Sequence, residues 1–130
     1  MFDFIAGFAC ANDVTARDIQ RAEGLPTYAK AFDTFCPLGP WFETEFDPSE
    51  ARITCTVNNE LRQDDNIRGM LWSVPDLIAH VTAAMTLLPG DVLLTGTQVG
   101  VGPIKPGDVV TVTIEGIGSL RNTVAAADQT

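Results

Sequence analysis

The sequence predicts an α+β domain that is mostly β, with strands rolled around one amphipathic helix and a second, short helix beside them. Three observations carry this expectation. Apolar and polar residues alternate with period two over 51–57 and again over 109–115. Val74, Leu77, Ile78, Val81, Met85 and Leu88 recur at helical spacing. Glycine- and proline-containing turns cut the rest into short segments.

Residues 2–11, FDFIAGFACA, are apolar and aromatic and read as a buried strand. Thr15 and Asp18 have capping-box spacing, so 16–23 reads as a short helix, stopped by Gly24 and kept from resuming by Pro26. Two prolines and Gly39 make 27–41 a folded loop, and 42–50 is acidic and solvated. The alternation of 51–57 gives a half-buried strand, Asn58-Asn59 turns it, and 60–63 pairs back as a hairpin. Ser73 caps the main helix with Asp76 at the matching position, and Pro89-Gly90 ends it. Residues 91–95 form a short apolar strand, and GTQVGVGP (96–103) is a glycine-rich loop. Pro106-Gly107-Asp108 reuses the turn Pro89-Gly90-Asp91. Strands follow at 109–115 and 117–124, with a loose tail at 125–130.

A chain of 130 residues is a single domain by length, and 45% apolar residues exclude a disordered chain. A formal charge of −9 argues against nucleic-acid backbones and anionic membranes as partners. No apolar run is long enough to span a membrane. The three cysteines, Cys10, Cys36 and Cys55, are odd in number and widely spaced, which fits a reducing cytoplasm better than a disulfide or zinc framework. Cys10 and Cys55 lie in strand-like runs and read as core residues.

Several residues have chemical potential. Arg17 and Gln20 are three apart on a helix and share a face, either as solvated surface groups or as contacts to a small anion. Asp13 stands just before that helix and can ligate a metal. Lys30, framed by Ala29, Ala31 and Phe32, is a snorkelling stem or a cation aimed at a developing enolate. Glu43 and Glu45 look like a metal pair, but they follow Pro40 in a loop and read as solvated charges. His80 lies off the apolar stripe of its helix and reads as a surface residue. The glycine-rich loop lacks the Lys-Ser/Thr ending of a phosphate loop. Its glycines suit close approach of backbone N–H groups, with the Thr97 hydroxyl, to a carboxylate.

GFACANDVTARDIQ, KAFDTFCPLGPW, LRQDDN, SVPDLI and LLPGDVLLTGTQVGVGPIKPGD, in this order and over nearly the whole chain, resemble the fumarylacetoacetate hydrolase family. The resemblance implies that family's mixed β-sandwich or roll. It also implies cleavage, isomerisation or decarboxylation of an enolisable 2-oxo or diketo dicarboxylic acid with Mg²⁺ or Mn²⁺, as in the catabolism of aromatic compounds. By the same resemblance Asp13 matches the aspartate metal ligand. Arg17 and Gln20 match substrate-facing residues, Lys30 the catalytic lysine beside the metal, and Thr97 the threonine of the carboxylate-binding loop. All five are expected to converge on one cleft. Gln98 departs from the family's usual proline and Ile67 from a common threonine.

The family's Glu-x-Glu metal strand and the His-Glu pair of its hydrolases are expected before Asp13, where only twelve residues stand. The chain therefore reads as the C-terminal portion of the catalytic domain. Two functions remain open. One is a metal-assisted enzyme domain acting on a small 2-oxo acid. The other is a non-catalytic domain that keeps the fold and self-associates, as a homodimer or larger.

Overall fold

Alternating β-branched side chains build the centre of the molecule, for which a computed structural model describes residues 4–126. Four strands, β1 (Arg52–Val57), β2 (Glu60–Asn66), β3 (Val109–Ile114) and β4 (Gly118–Thr123), form one antiparallel sheet in the order β2-β1-β3-β4. The mostly-β expectation holds. In β3, Val110, Val112 and Ile114 are buried, while Thr111 and Thr113 on the other face are half-buried. The core is Cys10, Ala51, Val112, Ile114, Ile117 and Leu120, with Phe8, Phe46, Ile53, Cys55 and Ile67 packed against it. Burial pushes the thiols of both Cys10 and Cys55 up, as suits packing groups rather than nucleophiles.

The β1–β2 turn follows from its sequence. Asn58 and Asn59 have φ of 52° and 66°, the doubly left-handed turn whose twist matches the flanking strands. Strand β2 runs past the expected Gln63 to Asn66. A bulge interrupts its pairing: Cys55 faces Gln63 and Thr56 faces Leu61, so Arg62 is the extra residue.

Among the described residues there are three α-helices, α1 (Arg17–Glu23), α2 (Pro26–Lys30) and α3 (Val74–Thr82). At α1 the expected capping box does not form. Ala16 is the N-cap with no side-chain bond, because the Thr15 hydroxyl donates to the Asp13 carbonyl at 3.0 Å. Gly24 ends α1 in the left-handed conformation, as expected. Pro26 does not block a helix but starts α2, where its missing N–H is no loss at the first helical position. Residues 26–30 are therefore helix and not loop.

At α3 the capping box does form. The Asp76 N–H donates to Ser73 Oγ at 3.3 Å, and the Ser73 N–H to Asp76 Oδ2 at 3.2 Å. The helix stops at Thr82, short of the expected Leu88. The Thr82 hydroxyl donates back to the Ile78 carbonyl at 2.8 Å, a local bond that competes with helix continuation.

Two expected strands and the place of the main helix are corrected. Among the described part of 2–11, Phe8 and Ala11 make only isolated bridges, to Glu43 and Leu38. Their partner segment holds Pro37 and Pro40, which have no N–H to extend a ladder. Phe2 and Asp3 lie outside the described residues, as does 127–130 of the tail. Residues 91–95 pair with no strand. No residue of α3 is buried, so the strands do not wrap this helix; the sheet packs instead on Cys10, Phe8 and Phe46. Leu71, Trp72, Met85 and Leu88, around and beyond α3, are exposed.

Candidate functional site

Two short helices position the first group of residues. The Ala16 N–H donates to the Ala29 carbonyl at 2.9 Å, which ties the start of α1 to the last turn of α2. Ala29 is fully buried at this crossing. Lys30, the next residue and the end of α2, thereby reaches Asp13, just before α1, and the two side chains form an ion pair. Each is about a third exposed, at 35% and 36%, so the pair faces an accessible surface. At the start of α1, Arg17 donates to Gln20 Oε1 at 2.5 Å, as the three-residue spacing anticipates.

Thr97 is positioned by other means. Gln63, on edge strand β2, donates from Nε2 to Thr97 Oγ1 at 3.0 Å and to the Gln98 carbonyl at 2.9 Å. Gly100, at φ 107°, lies so close to the bulge that a Cβ would sit 2.0 Å from the Arg62 carbonyl oxygen. Only glycine permits that approach. The loop thus covers an edge that would otherwise be open. Among the described residues, no hydrogen bond or ion pair joins Thr97 to Asp13, Arg17, Gln20 or Lys30. Sequence reasoning gave Gln63 no role, although LRQDDN carried the signal.

A second polar cluster was also missed. Asn58 Nδ2 donates to Asp108 Oδ1 at 2.8 Å, the Val109 N–H to Asn58 Oδ1 at 2.9 Å, and the Lys105 N–H to Asp108 Oδ2 at 2.9 Å. The Asn58 amide first, then the Lys105 N–H, hold the Asp108 carboxyl below its ordinary range. The cluster borders a groove of about 320 Å³ between the β1–β2 turn and the loop ahead of β3. It clamps that turn to the start of β3.

Glu43 and Glu45 behave as loop residues. Glu43 bridges Phe8 through its backbone, and its Oε1 accepts the Glu45 N–H at 3.0 Å. His80 is exposed.

The sequence matches the family model described as fumarylacetoacetate (FAA) hydrolase C-terminal over residues 1–125. The chain belongs to the fumarylacetoacetate hydrolase family. Among solved structures, it resembles a 5-carboxymethyl-2-hydroxymuconate delta-isomerase from Mycobacterium smegmatis at 48% identity and a TM-score of 0.96, covering 98% of this chain and 51% of that one. A maleylpyruvate hydrolase from Sphingobium sp. SYK-6, in complex with manganese(II) and pyruvate, is 38% identical with a TM-score of 0.86, over 95% of this chain and 46% of that one. The mitochondrial oxaloacetate tautomerase Fahd2a of Rattus norvegicus is 45% identical over 93% of this chain and 42% of its own length. The chain spans about half the length of the curated relatives it matches. This fumarylacetoacetate hydrolase family thus includes isomerases, hydrolases and tautomerases, and one relative holds a divalent ion. No helix among the described residues is long and apolar enough to cross a membrane.

Whether this chain's residues fit such an ion is a matter of its donors. Among the described residues, no three His, Cys, Asp or Glu side chains gather into a group that can hold a metal. Asp13 stands at the α1–α2 crossing, and it already neutralises Lys30. A hard divalent cation takes oxygen donors and keeps its waters unless several carboxylates replace them. The described donors alone do not make that site.

Proposed function

We propose that this chain supplies the anion-handling part of an enzyme acting on an enolisable 2-oxo dicarboxylic acid, in C–C hydrolysis, isomerisation or decarboxylation. The pairing of Lys30 with Asp13 at the head of the helix that bears Arg17 and Gln20 carries this reading. It puts an ion pair on an accessible surface, its aspartate four residues before the arginine that opens α1, in a protein with net charge −9. Removing the C3 proton of a 2-oxo acid leaves negative charge on the former carbonyl oxygen. The Lys30 ammonium would stabilise that charge, and Asp13 would hold the ammonium in place. Arg17, oriented by Gln20, would receive a carboxylate at the other end. Thr97 and its loop would receive the carboxylate next to the oxo group. The names of the relatives support this substrate class, since oxaloacetate is itself a 2-oxo dicarboxylate.

The Mg²⁺ or Mn²⁺ of this reading would be held firmly only where further carboxylates join Asp13. The chain by itself is therefore expected to bind Mg²⁺ weakly and to act on oxaloacetate very slowly. The test is a titration of the labelled chain with pyruvate and oxaloacetate, followed through its amide resonances. Shifts at Arg17, Gln20 and Lys30 are expected, weakened in Arg17→Ala and Lys30→Ala. Ligand-induced shifts absent from all three would refute the reading.

A second reading, a non-catalytic domain that self-associates, draws support from the small donor set and from the exposed Leu71, Trp72, Met85 and Leu88. Robust metal-dependent turnover of oxaloacetate by the chain, lost in Asp13→Ala, would eliminate it.

A further inference from the structure

The Gln63 side chain makes two bonds from a single atom. Nε2 lies 2.9 Å from the Gln98 carbonyl oxygen and 3.0 Å from Thr97 Oγ1. A carbonyl oxygen only accepts, so the amide must present its nitrogen there; the flipped amide would set its oxygen against the Gln98 carbonyl. The same nitrogen then donates to Thr97 Oγ1, which occupies a lone pair of that hydroxyl. The hydroxyl's own proton is left to be given away. Toward Gln63 the hydroxyl can only accept, so its proton stays free for an oxygen on the other side.

The backbone beneath it is held as firmly. Gly100 rests on the Arg62 carbonyl, at the bulge of β2, and Gln63 is the residue after that bulge. Bulges re-aim the neighbouring side chain, and this one aims Gln63 out of the sheet at the glycine-rich loop.

We infer that Gln63 is a positioning residue that fixes Thr97 as a hydrogen-bond donor toward an acceptor-only ligand oxygen, that of a carboxylate. Gln63 itself touches no ligand; it acts through the hydroxyl and the Gln98 peptide. The inference rests on the reading of the Thr97 loop as a carboxylate-binding loop, and the experiment separates the two.

The ¹⁵N-labelled chain is titrated with pyruvate, and its amide exchange is measured beside that of Gln63→Leu and Gln63→Glu. Leu fills the space without a donor. Glu keeps the length but puts an acceptor where the donor stood, so the Thr97 proton turns back into the protein. Pyruvate is expected to shift the amides of residues 96–99 in the native sequence. Both variants should weaken that binding about tenfold and speed exchange at 96–101 by a similar factor, as loss of two hydrogen bonds implies, with β3 unchanged. Unchanged affinity and unchanged loop exchange in either folded variant would overturn the inference. If the native chain shows no pyruvate shift at 96–99, the carboxylate reading of the loop fails, and with it the ligand named here. Loop exchange then decides the rest: faster in the variants sustains the hold of Gln63 on Thr97, and unchanged removes it.

Discussion

Replacing Asn58 tests how the sheet is held together at one end. Asn58 is left-handed at φ 52°, donates to Asp108 and accepts from the Val109 N–H. Alanine loses both side-chain bonds and must adopt a backbone that L-residues other than Asn and Asp resist. The strained backbone costs about 1 kcal/mol, and each lost hydrogen bond about 1 kcal/mol. Asn58→Ala should therefore destabilise the fold by about 3 kcal/mol in urea unfolding, a large part of a small domain's ~5–15 kcal/mol. Asn58→Gly keeps the turn but loses the bonds, and should cost about 2 kcal/mol.

The pH dependence gives a second check. Asp108 is held below its ordinary range by Asn58 first and by the Lys105 N–H second. Its folded-state pKa is depressed, so its contribution is complete above the unfolded value of about 3.9 and is lost as pH falls through the folded value. The gap between native and Asn58→Gly should be constant near neutrality and narrow in acid. An Asn58→Ala chain within about 0.5 kcal/mol of native, well under the sum of these terms, would refute the clamp. A gap that widens in acid would refute the charge argument.

Four further outcomes are expected. Leu120→Ala, in the core at 7% exposure, should cost about 3 kcal/mol in the same urea experiment. Native alkylation followed by mass spectrometry should spare Cys10, which is buried and has its thiol pushed up, while the half-buried Cys36 reacts first; modification in the reverse order would contradict the core placement. Calorimetry with Mg²⁺ should show weak binding that Asp13→Ala removes, and tight binding would reveal donors beyond Asp13. Size-exclusion chromatography should show association that grows with concentration, and a monomer throughout would count against the apolar surface as an interface.

Much local chemistry was legible in the sequence, although the Thr15–Asp18 box did not form; closure between distant segments was not legible. Asn58-Asn59, the Ser73–Asp76 box and the alternation of 109–114 each encode their geometry within a few residues, and each appears where expected. The run 2–11 misled because apolar content reports burial and not a ladder: Cys10 is buried, yet its segment pairs only through isolated bridges. Pro26 was ambiguous in principle, since the residue that ends one helix is well suited to begin the next. The stripe of α3 forecast a buried face, but periodicity names no partner, and no α3 residue is buried. At the site, Arg17–Gln20 could be read from spacing alone. The contact of Asp13 with Lys30 depends on the Ala16–Ala29 backbone bond, which no spacing rule exposes. Gln63 reaches Thr97 across thirty-four positions, and only the bulge directs it there.

The Asp13–Lys30 pair bears on the metal question from the side of charge. A carboxylate free of partners would attract any divalent ion that approached. Asp13 is instead neutralised by an ammonium at contact distance, so an ion must share the carboxylate with Lys30 or displace it. An ion pair about a third exposed, as this one is, contributes only about 0–1 kcal/mol, so displacement is cheap. The repulsion between a divalent ion and the adjacent ammonium is the larger obstacle, and further carboxylates are what relieve it. Lys30→Met should accordingly strengthen Mg²⁺ binding to the isolated chain, while weakening binding of pyruvate if that ammonium meets the ligand. A variant that lowered both affinities would show Lys30 to be structural, with Asp13 merely its counter-ion.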